Sequence, residues 1–172
     1  MPAKNSVIAI YGRMSAVEGA LAELHNSGVP KETISVVAQD LHSDKTIHGI
    51  VFEDHPTLHG GTNGAWIGGI FGLTVGLAVA WVPGVGPFIA AGPIAASIAS
   101  VLEGAVLGAS GIGLLGALVS WGVSESQMHQ YEKMVRNGKY LVIVHGDTDA
   151  VSAAEDVLRG TAPDLLDVHG LS

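Results

Sequence analysis

The stretch Ile8-Ala-Ile-Tyr-Gly12 recurs near the other end of the chain as Val142-Ile-Val-His-Gly146. Each copy is a short, mostly β-branched run that ends in glycine, a pattern that predicts a strand followed by a turn. Apolar residues at helical spacing follow each copy. A further apolar run follows each helical pattern, at Ile34–Ala38 and, more weakly, at Leu165–His169. The sequence therefore predicts two β-α-β units.

The helices of the two units are predicted to begin at aligned positions. Ser15 stands three residues before Glu18, the spacing of a reciprocal capping box, and Asp149 occupies the equivalent position in the second unit. Gly28 and the proline that follows it are expected to end the first helix.

A third helix is expected from Ser124 onward, between the two units. It would carry Met128, Tyr131 and Val135 on one face, and Gly138 would end it.

An internal repeat of this kind predicts an α+β fold. The expected form is a four-stranded antiparallel sheet with two helices on one face, the ferredoxin-like arrangement. Because one β-α-β unit cannot cover its own sheet, residues 1–59 and 123–172 are expected to form one split domain. Residues 60–122 would interrupt it.

The insertion differs sharply in composition from its flanks. It contains 16 of the 24 glycines and a single charged residue, Glu103. Glycine recurs at every fourth position in the first half and more loosely in the second, at Gly60, Gly64, Gly68, Gly72, Gly76, Gly104, Gly108 and Gly116. On helices these positions form ridges without side chains, against which another backbone packs closely. The pattern predicts a glycine-zipper helical hairpin with helices over Gly60–Val82 and Gly104–Trp121.

The three tryptophans suit a hairpin in a membrane. Antiparallel helices would place Trp66 and Trp121 together near the folded domain and Trp81 at the far end, as in the aromatic belts of membrane proteins. The uncharged segment 82–102 would then form a re-entrant tip or a short third helix inside an assembly. Two facts weaken the membrane interpretation, since the helices are short for a bilayer and no Lys or Arg flanks them. The alternative is a soluble oligomer whose hairpins bury each other.

Charge and cysteine content exclude several functional classes. Eight Lys and Arg residues against 16 Asp and Glu give a net charge of −8, which argues against binding to nucleic acid. The absence of cysteine excludes disulfides and thiol chemistry. Residues Met1 to Gly12 contain only a short apolar run, so we expect no signal peptide and synthesis in the cytoplasm. The expected location is the cytoplasmic side of the membrane, with the cytoplasm as the alternative.

Few residues of the sequence are arranged for catalysis or for binding a metal, and no catalytic residue or cofactor is predicted. His55 and His59, beside Glu53 and Asp54, are weak candidates for a metal site, against the alternative of a solvated linker. Residues 111–116 match the G-x-G-x-x-G string, but their place inside an apolar helical run favours the zipper over a dinucleotide site.

The chain resembles a bacterial family of general stress proteins, induced by heat or low temperature, that carry a glycine-zipper insert. The resemblance rests on residues 7–38, on the proline–glycine segment 83–93 and on a pattern formed by Tyr131, Val135, Gly138, Leu141 and Val142. It implies a protein of largely unknown function that is often membrane-associated and has no catalytic residues.

The expected function is therefore non-enzymatic. A stress-response protein would self-associate through its glycine-zipper hairpin at the cytoplasmic membrane, with the bilayer and further copies of itself as partners. Two alternatives stay open. One is a soluble shell or filament component that buries the hairpins in protein, and the other is a regulatory module that binds a metal or ligand through its histidines.

Overall fold

A computed structural model describes residues 5–38, 77–82, 86–93 and 122–170 of the chain. The fold of these residues is α+β. In chain order the elements are β1 (Asn5–Tyr11), α1 (Met14–Asn26), a 3₁₀ turn (Lys31–Thr33), β2 (Ile34–Ala38), β3 (Leu77–Val82), β4 (Gly86–Ala91), α2 (Glu125–Arg136), β5 (Tyr140–Gly146), α3 (Thr148–Gly160) and β6 (Leu165–His169).

All six described strands belong to one sheet, in the order β3-β4-β2-β5-β1-β6, and all neighbouring strands run antiparallel. The four strands of the two β-α-β units lie side by side, with β1 and β5 paired at the centre. Ile8 lies opposite Ile143 in this central pair, and Ala9 lies opposite Val142. The repeat therefore folds as two related halves that meet along the centre of the sheet, so the described flanks share one structure.

The first face of the sheet packs against α1 and α3. Side chains from β1, β5 and β2 interlock there with the apolar faces of the two helices. The buried core residues are Val7, Ala9, Tyr11, Val17, Ala20, Leu21, Leu24, Ile34, Val142, Val144, Val151, Ala154 and Leu158. Burial of this apolar surface is the main force that holds the two halves together.

The second face of the sheet is also buried, and α2 packs against it. Ile8, Leu141 and Ile143 alternate with the residues of the first core and are almost completely buried. From α2, Tyr131 and Val135 are fully buried as well. The predicted apolar face of this helix is thus confirmed.

The glycines that were predicted to end two helices do so. Gly28 follows α1 with φ of +82°, and Gly138 follows α2 with φ of +79°. A left-handed backbone is accessible to glycine without the clash that a Cβ creates.

The predicted caps of the repeated helices were wrong by two residues. Helix α1 begins after Arg13, and Ser15 lies inside its first turn. Helix α3 begins after Asp147, whose carboxylate accepts a hydrogen bond from the Ala150 amide at 2.8 Å, so Asp149 is a first-turn residue. In both units the N-cap residue directly follows a glycine, Gly12 or Gly146. In α1 the packing of Met14 against the core favours this earlier helix start.

The described part of the insertion does not form the predicted helical hairpin. Leu77–Val82 and Gly86–Ala91 form strands of a β-hairpin, and β4 continues the sheet beyond β2. The first helix therefore does not extend to Val82, and residues 86–91 of the predicted tip form a strand. Pro83, Gly84 and Pro87 disfavour a helix here, and the exposed edge of β2 offers backbone hydrogen bonds that a strand can satisfy.

The remaining features of the predicted hairpin lie outside the described residues. These include every candidate zipper glycine, Trp66 and Trp121. Among the residues that are described, no helix has both the length and the apolar character needed to cross a bilayer.

Candidate functional site

A row of polar side chains crosses the second face of the sheet. Ser6 of β1 lies opposite His145 of β5 on one side and opposite His169 of β6 on the other. Asp167 lies two residues before His169 and therefore shares this face. Ser6 is fully buried and His169 is 5% exposed, so this row lies within an otherwise apolar layer.

Tyr131 of α2 joins this row through its hydroxyl group. The hydroxyl donates a hydrogen bond to Asp167 Oδ2 at 2.8 Å and lies 2.7 Å from His169 Nε2. Because the only hydroxyl proton points to the carboxylate, His169 donates from Nε2 to the tyrosine oxygen. The two rings meet edge to face, with centroids 5.8 Å apart and an angle of 76° between planes. We call Tyr131, Asp167 and His169 the Tyr131 cluster.

Burial changes the acidity of two members of the Tyr131 cluster. It raises the pKa of Tyr131 far above its usual value, and the hydrogen bond and negative charge of Asp167 raise this pKa further. Burial also lowers the pKa of His169, an effect that the Asp167 carboxylate partly opposes. At neutral pH the tyrosine is therefore a neutral phenol.

The Tyr131 cluster is suited to holding elements together and poorly suited to catalysis. In a Ser-His-Asp relay the carboxylate holds the imidazole, whereas here the tyrosine hydroxyl lies between Asp167 and His169. A neutral, buried phenol is neither a nucleophile nor a base. The arrangement instead ties α2 to β6, which is an edge strand of the sheet.

Two close approaches of glycine backbone anchor the chain on either side of segment 94–121. After β4, Gly92 adopts φ of +95°, and a Cβ there would stand 2.3 Å from the Ile34 carbonyl oxygen. Before α2, Gly122 adopts φ of +83°, and a Cβ there would stand 2.8 Å from Gly170 Cα. Both contacts require glycine, and together they attach this part of the insertion to β2 on one side and to the end of β6 on the other.

Of the candidate glycines, tryptophans and histidines predicted from the sequence, only Trp81 lies among the described residues. Trp81 belongs to β3, so it does not lie at the end of a membrane helix. The eight candidate zipper glycines lie outside the described residues, and so do Trp66, Trp121, His55 and His59. No group of three or more metal-ligating side chains occurs in the described ranges.

Sequence reasoning missed the Tyr131 cluster. The apolar pattern correctly places Tyr131 on the buried face of its helix, but it assigns no role to Asp167 or His169. The available signal was the alternation in Leu165–His169, which places Asp167 and His169 on one face. That signal does not reveal the partner on α2, because Tyr131 and Asp167 are separated in the chain by all of β5 and α3.

Comparison with known proteins gives no assignment for the chain. No protein-family model, no curated protein and no solved structure matches it.

Proposed function

We propose that this protein is a non-enzymatic, self-associating protein of the bacterial stress response. A split domain of the ferredoxin-like type would carry the apolar insertion as its assembly element. The order β2-β5-β1-β6 of the four repeat strands supports this domain type, since it is the strand order that the β-α-β repeat predicts. The assignment to the stress response rests on the sequence resemblance alone.

One observation carries the proposal of self-association. An insertion whose only charged residue is Glu103 is joined to a folded acidic domain through a hairpin that pairs with β2. The domain has its own core between the sheet and helices α1 and α3, so the insertion is not needed to fill that core. Apolar surface beyond a domain's own needs is characteristic of an interface with protein or membrane.

Burial of the insertion between copies is the first form of this proposal. The pairing of β3–β4 with the domain's sheet favours it, because this part of the insertion belongs to the domain and not to a distant helical tip. Association with the cytoplasmic membrane is the second form, which the near absence of charge in the insertion favours.

Replacing zipper glycines tests the proposal. We expect Gly68→Leu combined with Gly72→Leu to abolish oligomers in chemical crosslinking, because two leucines would separate the packed backbones. The matched control is Gly61→Leu with Gly69→Leu, which makes the same change one residue away from the ridge. Equal oligomerisation of both variants and the wild type would remove the zipper as the interface.

The two forms of the proposal differ in their response to detergent. Size-exclusion chromatography with and without detergent separates them. A large species that needs no detergent indicates burial between copies, whereas aggregation that only detergent relieves indicates a membrane. A monomer under both conditions, at all concentrations, contradicts self-association itself.

A further inference from the structure

The two edges of the described sheet differ in how they are protected against pairing with another strand. An edge strand exposes a row of backbone donors and acceptors, which proteins protect with charges, proline, bulges or short strands. The first edge is β6 and the second is β3.

The β6 edge carries such protection. The strand has five residues, and Asp167 turns its carboxylate onto the second face of the sheet, where it accepts the hydrogen bond from Tyr131. Another strand added beside β6 would have to accommodate this inward-pointing charge. Inward-pointing charges are one of the devices by which edge strands avoid association.

Among the described residues, nothing protects the β3 edge in this way. Its sequence, Leu77-Ala-Val-Ala-Trp-Val82, is hydrophobic at every position and contains no charge or proline. Its pairing with β4 is regular from Leu77 opposite Ala91 to Val82 opposite Gly86, without a bulge. In the part of the chain that the structure describes, no strand lies on the other side of β3.

We propose that β3 pairs with β3 of a second copy, antiparallel and across a two-fold axis, so that two six-stranded sheets become one. This inference rests on the self-association proposed above and names the surface that would mediate it. Two identical antiparallel strands match donors with acceptors automatically, so the interface needs no second, complementary surface.

The distribution of charge leaves β3 as an edge at which a second copy can pair. The chain has a net charge of −8, so two copies repel each other over most of their surface. Strand β3 is uncharged along its whole length and is separated from the central strands of the acidic domain by β4 and β2. It therefore offers a line of contact at which like-charged copies meet without placing charges opposite each other.

Single cysteines along β3 test the geometry directly. The natural chain has no cysteine, so any disulfide comes from the introduced residue. In a two-fold antiparallel pair, a residue faces its own copy only near the axis. We expect variants Leu77→Cys through Val82→Cys to form disulfide dimers with one maximum along the strand, and the exposed control Ser152→Cys on α3 to form none. A large assembly with no disulfide dimer at any β3 position would overturn the proposal.

Charge substitution supplies a second test. Val79 lies in the middle of β3 and therefore near the axis when the two strands overlap along their whole length. We then expect Val79→Lys alone and Val79→Glu alone to weaken dimerisation by more than about tenfold, because like charges meet across the axis. Mixing the two variants should restore the dimer, whereas Val79→Thr should dimerise like the wild type. Restoration on mixing shows that the single variants are folded. If a segment of the same chain covered β3, mixing would restore nothing, and the proposal would fall.

The outcomes separate this inference from the proposed function. In one outcome, the Gly68→Leu, Gly72→Leu variant loses its oligomers while all β3 variants keep theirs. That result would support self-association through the insertion and contradict pairing at the β3 edge. A monomeric wild type would remove both.

Discussion

Tyr131 connects α2 with strand β6, a contact that the apolar pattern of α2 does not indicate. Its ring fills the layer between α2 and the sheet, and its hydroxyl bridges Asp167 and His169 on the edge strand β6. Tyr131 and Val135 are buried residues of α2, and Gly138 ends that helix. These residues therefore attach α2 to the sheet.

Removing the Tyr131 hydroxyl should destabilise the protein. The substitution Tyr131→Phe leaves the buried N–H of His169 without its acceptor, so we expect the free energy of unfolding in urea to fall by about 1–3 kcal/mol. Tyr11→Phe is the matched control. The Tyr11 hydroxyl lies 2.6 Å from Thr161, whose own hydroxyl also donates to the Leu158 carbonyl and keeps that bond. Equal losses in the two variants would contradict a special role for the Tyr131 cluster.

His169 should make stability depend on pH below neutrality. Burial lowers the pKa of His169 in the folded protein, so the unfolded chain binds this proton at a higher pH than the folded protein does. The free energy of unfolding therefore falls as the pH drops below about 6.5 and levels off below the folded-state pKa.

The variant His169→Gln isolates this contribution to the pH dependence. It retains an N–H donor for Tyr131 but does not titrate, so its stability in urea should decline less on acidification than that of the wild type. His129→Gln, at an exposed position of α2, should keep the wild-type decline. If the stability of His169→Gln declined on acidification as much as that of the wild type, groups other than His169 would cause the pH dependence.

Among the elements, the two repeated helices begin where the strands before them end. Asp147, and not Asp149, caps α3. We expect Asp147→Ala to lower the free energy of unfolding by about 0.5–2 kcal/mol, the usual cost of losing a helix cap. Asp149→Ala loses only a favourable interaction with the helix dipole, so its cost should be smaller. Urea denaturation of the two single variants measures the loss of stability in each. A larger loss in Asp149→Ala than in Asp147→Ala would show that Asp149 is the cap, as the sequence predicts.

Substitution by alanine should change the stability of the protein in opposite directions at two glycines. At Gly92 a Cβ would stand 2.3 Å from the Ile34 carbonyl oxygen on a backbone with φ of +95°, so Gly92→Ala should destabilise the hairpin's attachment to β2. Gly19 lies inside α1 with nothing within 4 Å of a Cβ, so Gly19→Ala should stabilise the protein by up to about 1 kcal/mol. Thermal unfolding measures both signs. Faster amide exchange in β2 of Gly92→Ala would locate the damage.

Across the molecule, one sheet unites the domain with part of its insertion. Because β2 pairs with β5 on one side and with β4 on the other, the hairpin and the split domain share a strand. Their stability should therefore be coupled, which a helical hairpin joined only by its two ends would not require.

Spectroscopy can test this coupling without substitutions. All three tryptophans lie in the insertion, so tryptophan fluorescence reports on it, whereas the helical signal in far-ultraviolet circular dichroism includes the split domain. We expect the two signals to follow one urea transition, as cooperative unfolding requires. Separate midpoints would show that the insertion unfolds independently of the domain.

Features that depend on local order along the chain could be predicted from the sequence alone. Strand alternation, helical spacing, the helix-ending glycines and the recurrence of the Ile8–Gly12 pattern at Val142–Gly146 identified both β-α-β units and helix α2. Features that depend on distant neighbours required the tertiary structure. The sequence pattern places residues 77–82 in a helix, yet they form a strand because β4 supplies backbone partners along their whole length. Likewise, Tyr131, Asp167 and His169 become one cluster only when α2 packs across the sheet, because no local pattern encodes a contact between such distant segments.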